Sequence, residues 1–154
     1  EVHGMSQRGG SVVTYVKYGD KVYSPVVEKG EADLIVSFEQ LEAARSLPYL
    51  KKGGTIITST QKLDPMPVIT GATTYPEDIF NQFRDAGVDF VSVNALELAE
   101  QAGSAKASNV VLMGVVSTKM SIEKEVWLKA LEECVPAKFL ELNKKAFELG
   151  RECY

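Results

Sequence analysis

The sequence predicts an α/β domain in three layers, with a mainly parallel sheet, an added β-hairpin and a helical C-terminal third. Three observations carry that reading. From Asp33 onward, short apolar runs alternate with helical segments, the pattern that lays parallel strands beneath covering helices. Ahead of Asp33, two strand-like runs flank Gly19-Asp20, a tight-turn pair. Beyond Gly103, the apolar residues fall at helical spacing.

Taken in order, Ser11 to Tyr18 and Val22 to Val27 are the limbs of the hairpin. Leu34-Ile35-Val36 is a buried strand. Ser37 and Gln40 have capping-box spacing and open a helix that runs to about Leu47, before Pro48. Gly53-Gly54 marks the turn into the next strand, Thr55 to Ser59. Pro65 and Pro67 mark a loop close to a short Val68-Ile69 segment. Pro76 suits a helix's first position, and Glu77 and Asp78 suit the positive end of its dipole. Ile79, Phe80, Phe83 and Ala86 form that helix's apolar stripe, and Gly87 ends it. Val88 to Val93 is the third strand. Asn94 and Glu97 repeat the capping spacing, and Gly103 stops a short helix.

The last third carries two amphipathic stripes. Ile122, Val126, Trp127, Ala130, Leu131 and Cys134 make one; Phe139, Leu142, Ala146 and Leu149 make the other. Between Gly103 and these stripes lies Asn109 to Val116, apolar on every side. Such a helix needs cover all round, either as a central core helix or beneath a partner.

At 154 residues and 45% hydrophobic, the chain suits one globular domain, residues 1–154. A net charge of −4, with no basic block, argues against nucleic acid. No apolar run approaches the roughly 20 residues of a membrane span, and no cationic-then-apolar leader opens the chain. The cytoplasm is the expected compartment. Two cysteines, Cys134 and Cys153, fall short of a disulfide framework, a zinc site or an iron–sulfur ligand set.

Chemistry-bearing residues gather near the start, in His3-Gly4-Met5-Ser6-Gln7-Arg8-Gly9-Gly10. Glycines permit unusual backbone angles and close approach of a ligand. Ser6, Gln7 and Arg8 add donors, and Arg8 has the fork that fits a carboxylate or phosphate. Met5, Ser6, Gln7, Arg8, Gly9 and Gly10 are therefore candidates for ligand or partner contact; the competing reading is a loop that satisfies its own backbone. His3, the one histidine, has no second ligand or nucleophile beside it and reads as fixing the loop by a hydrogen bond. Asn109 is the N-cap of the apolar helix or, alternatively, an anion contact at its N-terminus. Gly19-Asp20 lacks the downstream asparagines of a thiamine–magnesium motif, and Gly53-Gly54 lacks a phosphate-loop lysine pattern. No catalytic or metal residue is assigned. From the residues alone, a small nucleotide- or acidic-metabolite-binding domain and a structural scaffold both remain open.

A resemblance narrows the choice. EVHGMSQRGGSVV is similar to the signature of the small (beta) subunit of indolepyruvate ferredoxin oxidoreductases, the gamma domain of the 2-oxoacid:ferredoxin oxidoreductase family. The likeness continues through KVYSPVVEKGEADLIVSFEQLEAARSLPYLKKGGTIITST, SNVVLMGVVS and LNKKAFELG. It implies a Rossmann-like domain with no cofactor of its own, inactive alone, that completes a complex. In that complex a large (alpha) subunit is expected to carry thiamine diphosphate, magnesium and iron–sulfur clusters, with ferredoxin and coenzyme A engaged through the assembly. His-Gly-Met-Ser-Gln favours the indolepyruvate branch over subunits serving pyruvate, branched-chain acids or 2-oxoglutarate. The family's N-terminal strand, GxGGQG-type turn and helix are expected ahead of the Glu-Val-His strand and are not in this sequence. Without that unit, an exposed strand edge is expected to drive self-association of the fragment as a two-fold dimer unless its partner is present.

Overall fold

A computed structural model describes residues 12–154. In chain order its elements are β1 (Ala32–Ser37), α1 (Gln40–Ser46), β2 (Leu50–Ser59), α2 (Met66–Ile69), α3 (Ile79–Asp85), β3 (Asp89–Val93), α4 (Ala95–Ala102), α5 (Ser108–Thr118), α6 (Lys124–Cys134) and α7 (Leu140–Glu152). The strands form one sheet in the order β1-β2-β3, all parallel. This is the three-layer α/β class, with the helical C-terminal third in place.

Register explains the layers. Ile35, Ile56 and Phe90 stand side by side across the sheet and point to one face, while Val36, Ile57 and Val91 take the alternate positions. The first face is covered by Ala43 of α1 and by Ile79 and Phe83 of α3. There Phe80 stacks on Phe90 and Phe83 meets it edge-on, each pair with centroids 5.5 Å apart. The second face buries Ile57, Val91 and Val93 under α4, α5 and α7. Consecutive crossovers on one face, followed by a switch to the other, give the sheet two independent apolar cores.

The all-apolar helix is a central core element. Val111, Leu112 and Val115 of α5 are wholly buried, as are Ala146 and Phe147 of α7. The two helices cross at a pair of glycines with no room for a side chain. A Cβ on Gly150 would lie 2.0 Å from the Val111 carbonyl oxygen, and one on Gly114 would lie 2.2 Å from that of Phe147. Ser117 Oγ, buried in the last turn of α5, donates to Gly114 O and accepts from Arg151 Nη1, which ties the crossing together. α6 lies outside this core and is joined to α7 by Trp127 against Phe147 and by the Lys124–Glu148 and Lys144–Glu132 ion pairs.

Several expectations need correction. The hairpin limbs do not pair as a ladder among residues 12–27, where a single bridge residue, Thr14, is the only strand-like position. Val16, Tyr18 and Tyr23 are exposed there, so no buried face repays the ordering of two strands, and Pro25 offers no backbone donor. Lys17 Nζ instead crosses to Val26 O and Glu31 Oε2. Gly53-Gly54 is not a turn before the strand but lies inside β2. The pairing jumps from Ala32↔Leu50 to Leu34↔Thr55, and Gly53 takes φ +81° to absorb the extra residues as a bulge. The third helix begins at Ile79 rather than Pro76, because Asp78 adopts the left-handed conformation (φ 57°) and breaks the turn that Pro76 would have opened.

The caps are mixed. Asn94 caps α4 as the spacing predicts, with its Oδ1 accepting from Glu97 N, and Gly103 ends that helix at φ 122°. The cap of α1 is Glu39, whose carboxylate accepts from Glu42 N; Ser37 and Gln40 are not the pair. α5 begins two residues earlier than expected, after a short 3-10 turn at Ala105–Ala107, so its N-cap is Ala107 and not Asn109.

Candidate functional site

In a parallel α/β sheet, the strands' carboxyl ends and the helix N-termini that follow them converge on one edge. Here that edge carries a dense group of buried polar side chains: Ser37 at the end of β1, Glu39 and Gln40 just after it, and Thr58 and Ser59 at the end of β2. Ser37, Thr58 and Ser59 bond locally, whereas Gln40 and Glu39 also make long-range hydrogen bonds. Gln40 reaches across to the neighbouring connection, its backbone N–H donating to Gln61 O and its Nε2 to Thr60 O. Thr60 N donates in turn to Val93 O, which ties the exit of β2 to that of β3.

Glu39 is the hub. Only 5% exposed, its carboxylate accepts from Glu42 N at 2.9 Å, from Leu63 N at 3.5 Å and from the Tyr75 hydroxyl. A carboxylate held this deep needs such donors, because an unpaired buried charge is costly. The consequence is mechanical: the segment from Thr60 to Tyr75, which contains α2, is fastened at both ends to the carboxyl end of β1.

Burial first, then the hydrogen bond and charge of Glu39, hold the Tyr75 hydroxyl well above the ordinary tyrosine value of 10.0. The folded chain therefore keeps Tyr75 neutral at a pH where the unfolded chain ionises it. This contribution is complete below about pH 10 and is lost as pH rises above it. Tyr75→Phe is expected to remove ~1–3 kcal/mol at neutral pH, since Glu39 loses a donor, and to make the alkaline fall in stability shallower. Urea unfolding at neutral pH and at about pH 10.5 checks both; an unchanged alkaline slope would contradict the assignment.

Of the predicted site residues, Asn109 alone falls among the described residues. Met5, Ser6, Gln7, Arg8, Gly9 and Gly10, together with His3, lie outside the described residues. Asn109 is exposed in the first turn of α5, and none of its side-chain contacts joins the Glu39 group. Cys134 ends α6 and Cys153 follows α7, both exposed, and partial burial raises the Cys153 thiol pKa. Among the described residues, no three metal-ligating side chains converge. Two thiols on separate helices do not fit an iron–sulfur cluster, which takes about four ligands. No described helix is long and apolar enough to cross a membrane. The sequence analysis missed Glu39 and Tyr75 as a unit. The local signal was there in part, since an acidic residue stands just ahead of α1, but its other partners lie 24 and 36 positions away.

Comparison with known proteins adds what this geometry lacks. The sequence profile of pyruvate ferredoxin/flavodoxin oxidoreductase matches residues 1–153. The indolepyruvate oxidoreductase subunit IorB of Thermococcus kodakarensis is 42% identical over 155 residues, covering 97% of this chain and 77% of its own length. The subunit of the same name from Pyrococcus horikoshii is 40% identical with the same coverage, and that from Archaeoglobus fulgidus is 38% identical, with 97% and 76% covered. A solved structure, the keto/oxoacid ferredoxin oxidoreductase gamma subunit of Geobacter sulfurreducens, superposes with a TM-score of 0.58 at 22% identity. The match covers 82% of this chain and 66% of that one, and at this identity it bears on the fold alone.

Proposed function

The chain belongs to the pyruvate ferredoxin/flavodoxin oxidoreductase family, and from that premise we infer that it is the small subunit of a 2-oxoacid:ferredoxin oxidoreductase of the indolepyruvate type. The observation that carries this reading is the 38–42% identity to small subunits of that name along 97% of the chain. The division of labour follows from chemistry. With two cysteines in all, this chain cannot ligate an iron–sulfur cluster by itself. We place thiamine diphosphate, magnesium and the clusters on a large subunit, with electrons leaving to ferredoxin and the acyl group to coenzyme A. The cytoplasm is the compartment that this chemistry suits, since exposed reduced thiols persist there.

Within the complex, the glycine-rich loop is the element of this chain that we assign to ligand or active-site contact. Arg8, with Ser6, Gln7 and the free backbone of Gly9 and Gly10, offers a charged fork to a carboxylate or phosphate. Co-expressed with its large subunit, the chain is expected to elute as one hetero-oligomer. Arg8→Ala should still assemble but turn over roughly 10- to 100-fold more slowly, the loss of one hydrogen bond to a charged group. Separate elution of the two chains would overturn the subunit assignment; unchanged turnover by the variant would return the loop to a structural role.

A further inference from the structure

We propose that the carboxyl end of the sheet is the surface on which the large subunit docks, through an apolar centre of Phe38, Leu63, Met66 and Ile69. This rests on the subunit reading above and gives it a location. The four side chains are 52%, 57%, 64% and 64% exposed. They belong to one place: Phe38 adjoins Glu39, Leu63 N bonds to Glu39, and Met66 and Ile69 share one side of α2, on the segment that Tyr75 fastens back to Glu39.

Two features separate this patch from scattered surface apolar groups. It is pre-organised, since a buried carboxylate fixes the backbone beneath it. A surface already ordered in the free chain loses less entropy on association. The charged residues flanking it in the chain are also mostly acidic. Asp64, Glu77 and Asp78 are exposed, and the cation among them, Lys62, lies over the Tyr75 ring 5.6 Å from its centroid. An apolar centre with acidic flanks fits a partner face that is apolar at its centre and basic at its edge. A second copy of this chain fits poorly, because two-fold apposition of the patch sets carboxylates against carboxylates.

The test uses the whole chain and the purified large subunit. Met66→Asp/Ile69→Asp is expected to weaken binding on the order of 100-fold or more, as two buried anchors would. Its melting temperature should stay within about 2 °C of the parent, as exposed positions usually do. Ile69→Asp alone gives a second reading should the double variant melt early. Val126→Asp, at a site 56% exposed on α6, is the control and should bind as the parent does. Asp64→Lys/Glu77→Lys should slow association about tenfold at low salt and less at high salt. Parent-like binding by the double variant overturns the proposal. Should the patch variant instead dissolve a homodimer while large-subunit binding persists, the surface belongs to a second copy and the proposal fails. A parent chain that does not bind the large subunit at all defeats the subunit reading itself, and the docking surface falls with it.

Discussion

Gly150→Ala is expected to lower stability by about 3 kcal/mol or more, the upper range for overpacking a closed core. The added Cβ would sit 2.0 Å from the Val111 carbonyl oxygen, and backbone, unlike a flexible side chain, cannot turn aside. Relief requires α7 to move away from α5, which opens the contact that buries Phe147, Val111 and Val115. For a chain of this length, that loss corresponds to a fall in melting temperature of roughly 6–12 °C. Gly114→Ala meets the same geometry from the other helix, 2.2 Å from Phe147 O, and should behave alike. Because both changes strain one crossing, the double variant should cost less than the sum of the singles. Thermal unfolding followed by circular dichroism measures all three. A fall of less than about 2 °C for Gly150→Ala would mean that the helices cross farther apart than the 2.0 Å approach to Val111 O implies.

This crossing also shows where the sequence was informative and where it was not. A run such as NVVLMGVV states that a helix is covered on all sides, but apolar residues carry no label for what covers them. The core helix and the helix beneath a partner look alike until α7 is placed against it. Signals that act within one turn of chain were legible. Asn94 and Glu97 are neighbours along the backbone, so their capping bonds depend on nothing distant. Gly87 and Gly103 end helices by their own positive φ. Strands β1 and β3 were legible from short apolar stretches, Leu34-Ile35-Val36 and Phe90-Val91 with Val93, although β1 is an edge strand that leaves Val36 39% exposed rather than buried.

What failed depended on partners. Gly53-Gly54 reads as a turn in isolation and becomes a bulge only because β1 runs alongside it, with Asp33 O 2.9 Å from where a Gly54 Cβ would stand. The hairpin limbs are strand-like runs flanking a tight-turn pair, yet residues 12–27 have no face to bury and do not form a ladder. Glu39 is the clearest case. As a helix cap it is a local feature, but its role as anchor of the connection after β2 is written in Leu63 and Tyr75, and no periodicity links them to it. The glycine-rich stretch from His3 to Gly10 lies outside the described residues and was read in the opposite way. Its residues announced themselves by type, and its meaning came from likeness to a family rather than from packing.

The central claim is that this chain serves an oxidoreductase whose redox chemistry lies on another subunit, and turnover tests it most directly. The purified chain, supplied with indolepyruvate, thiamine diphosphate, magnesium, coenzyme A and an electron acceptor, is expected to show no reduction of the acceptor. Adding the large subunit should bring sustained reduction dependent on indolepyruvate, and the large subunit by itself should fall well short of the mixture. Sustained reduction by this chain alone, or a large subunit equally active without it, would contradict the account.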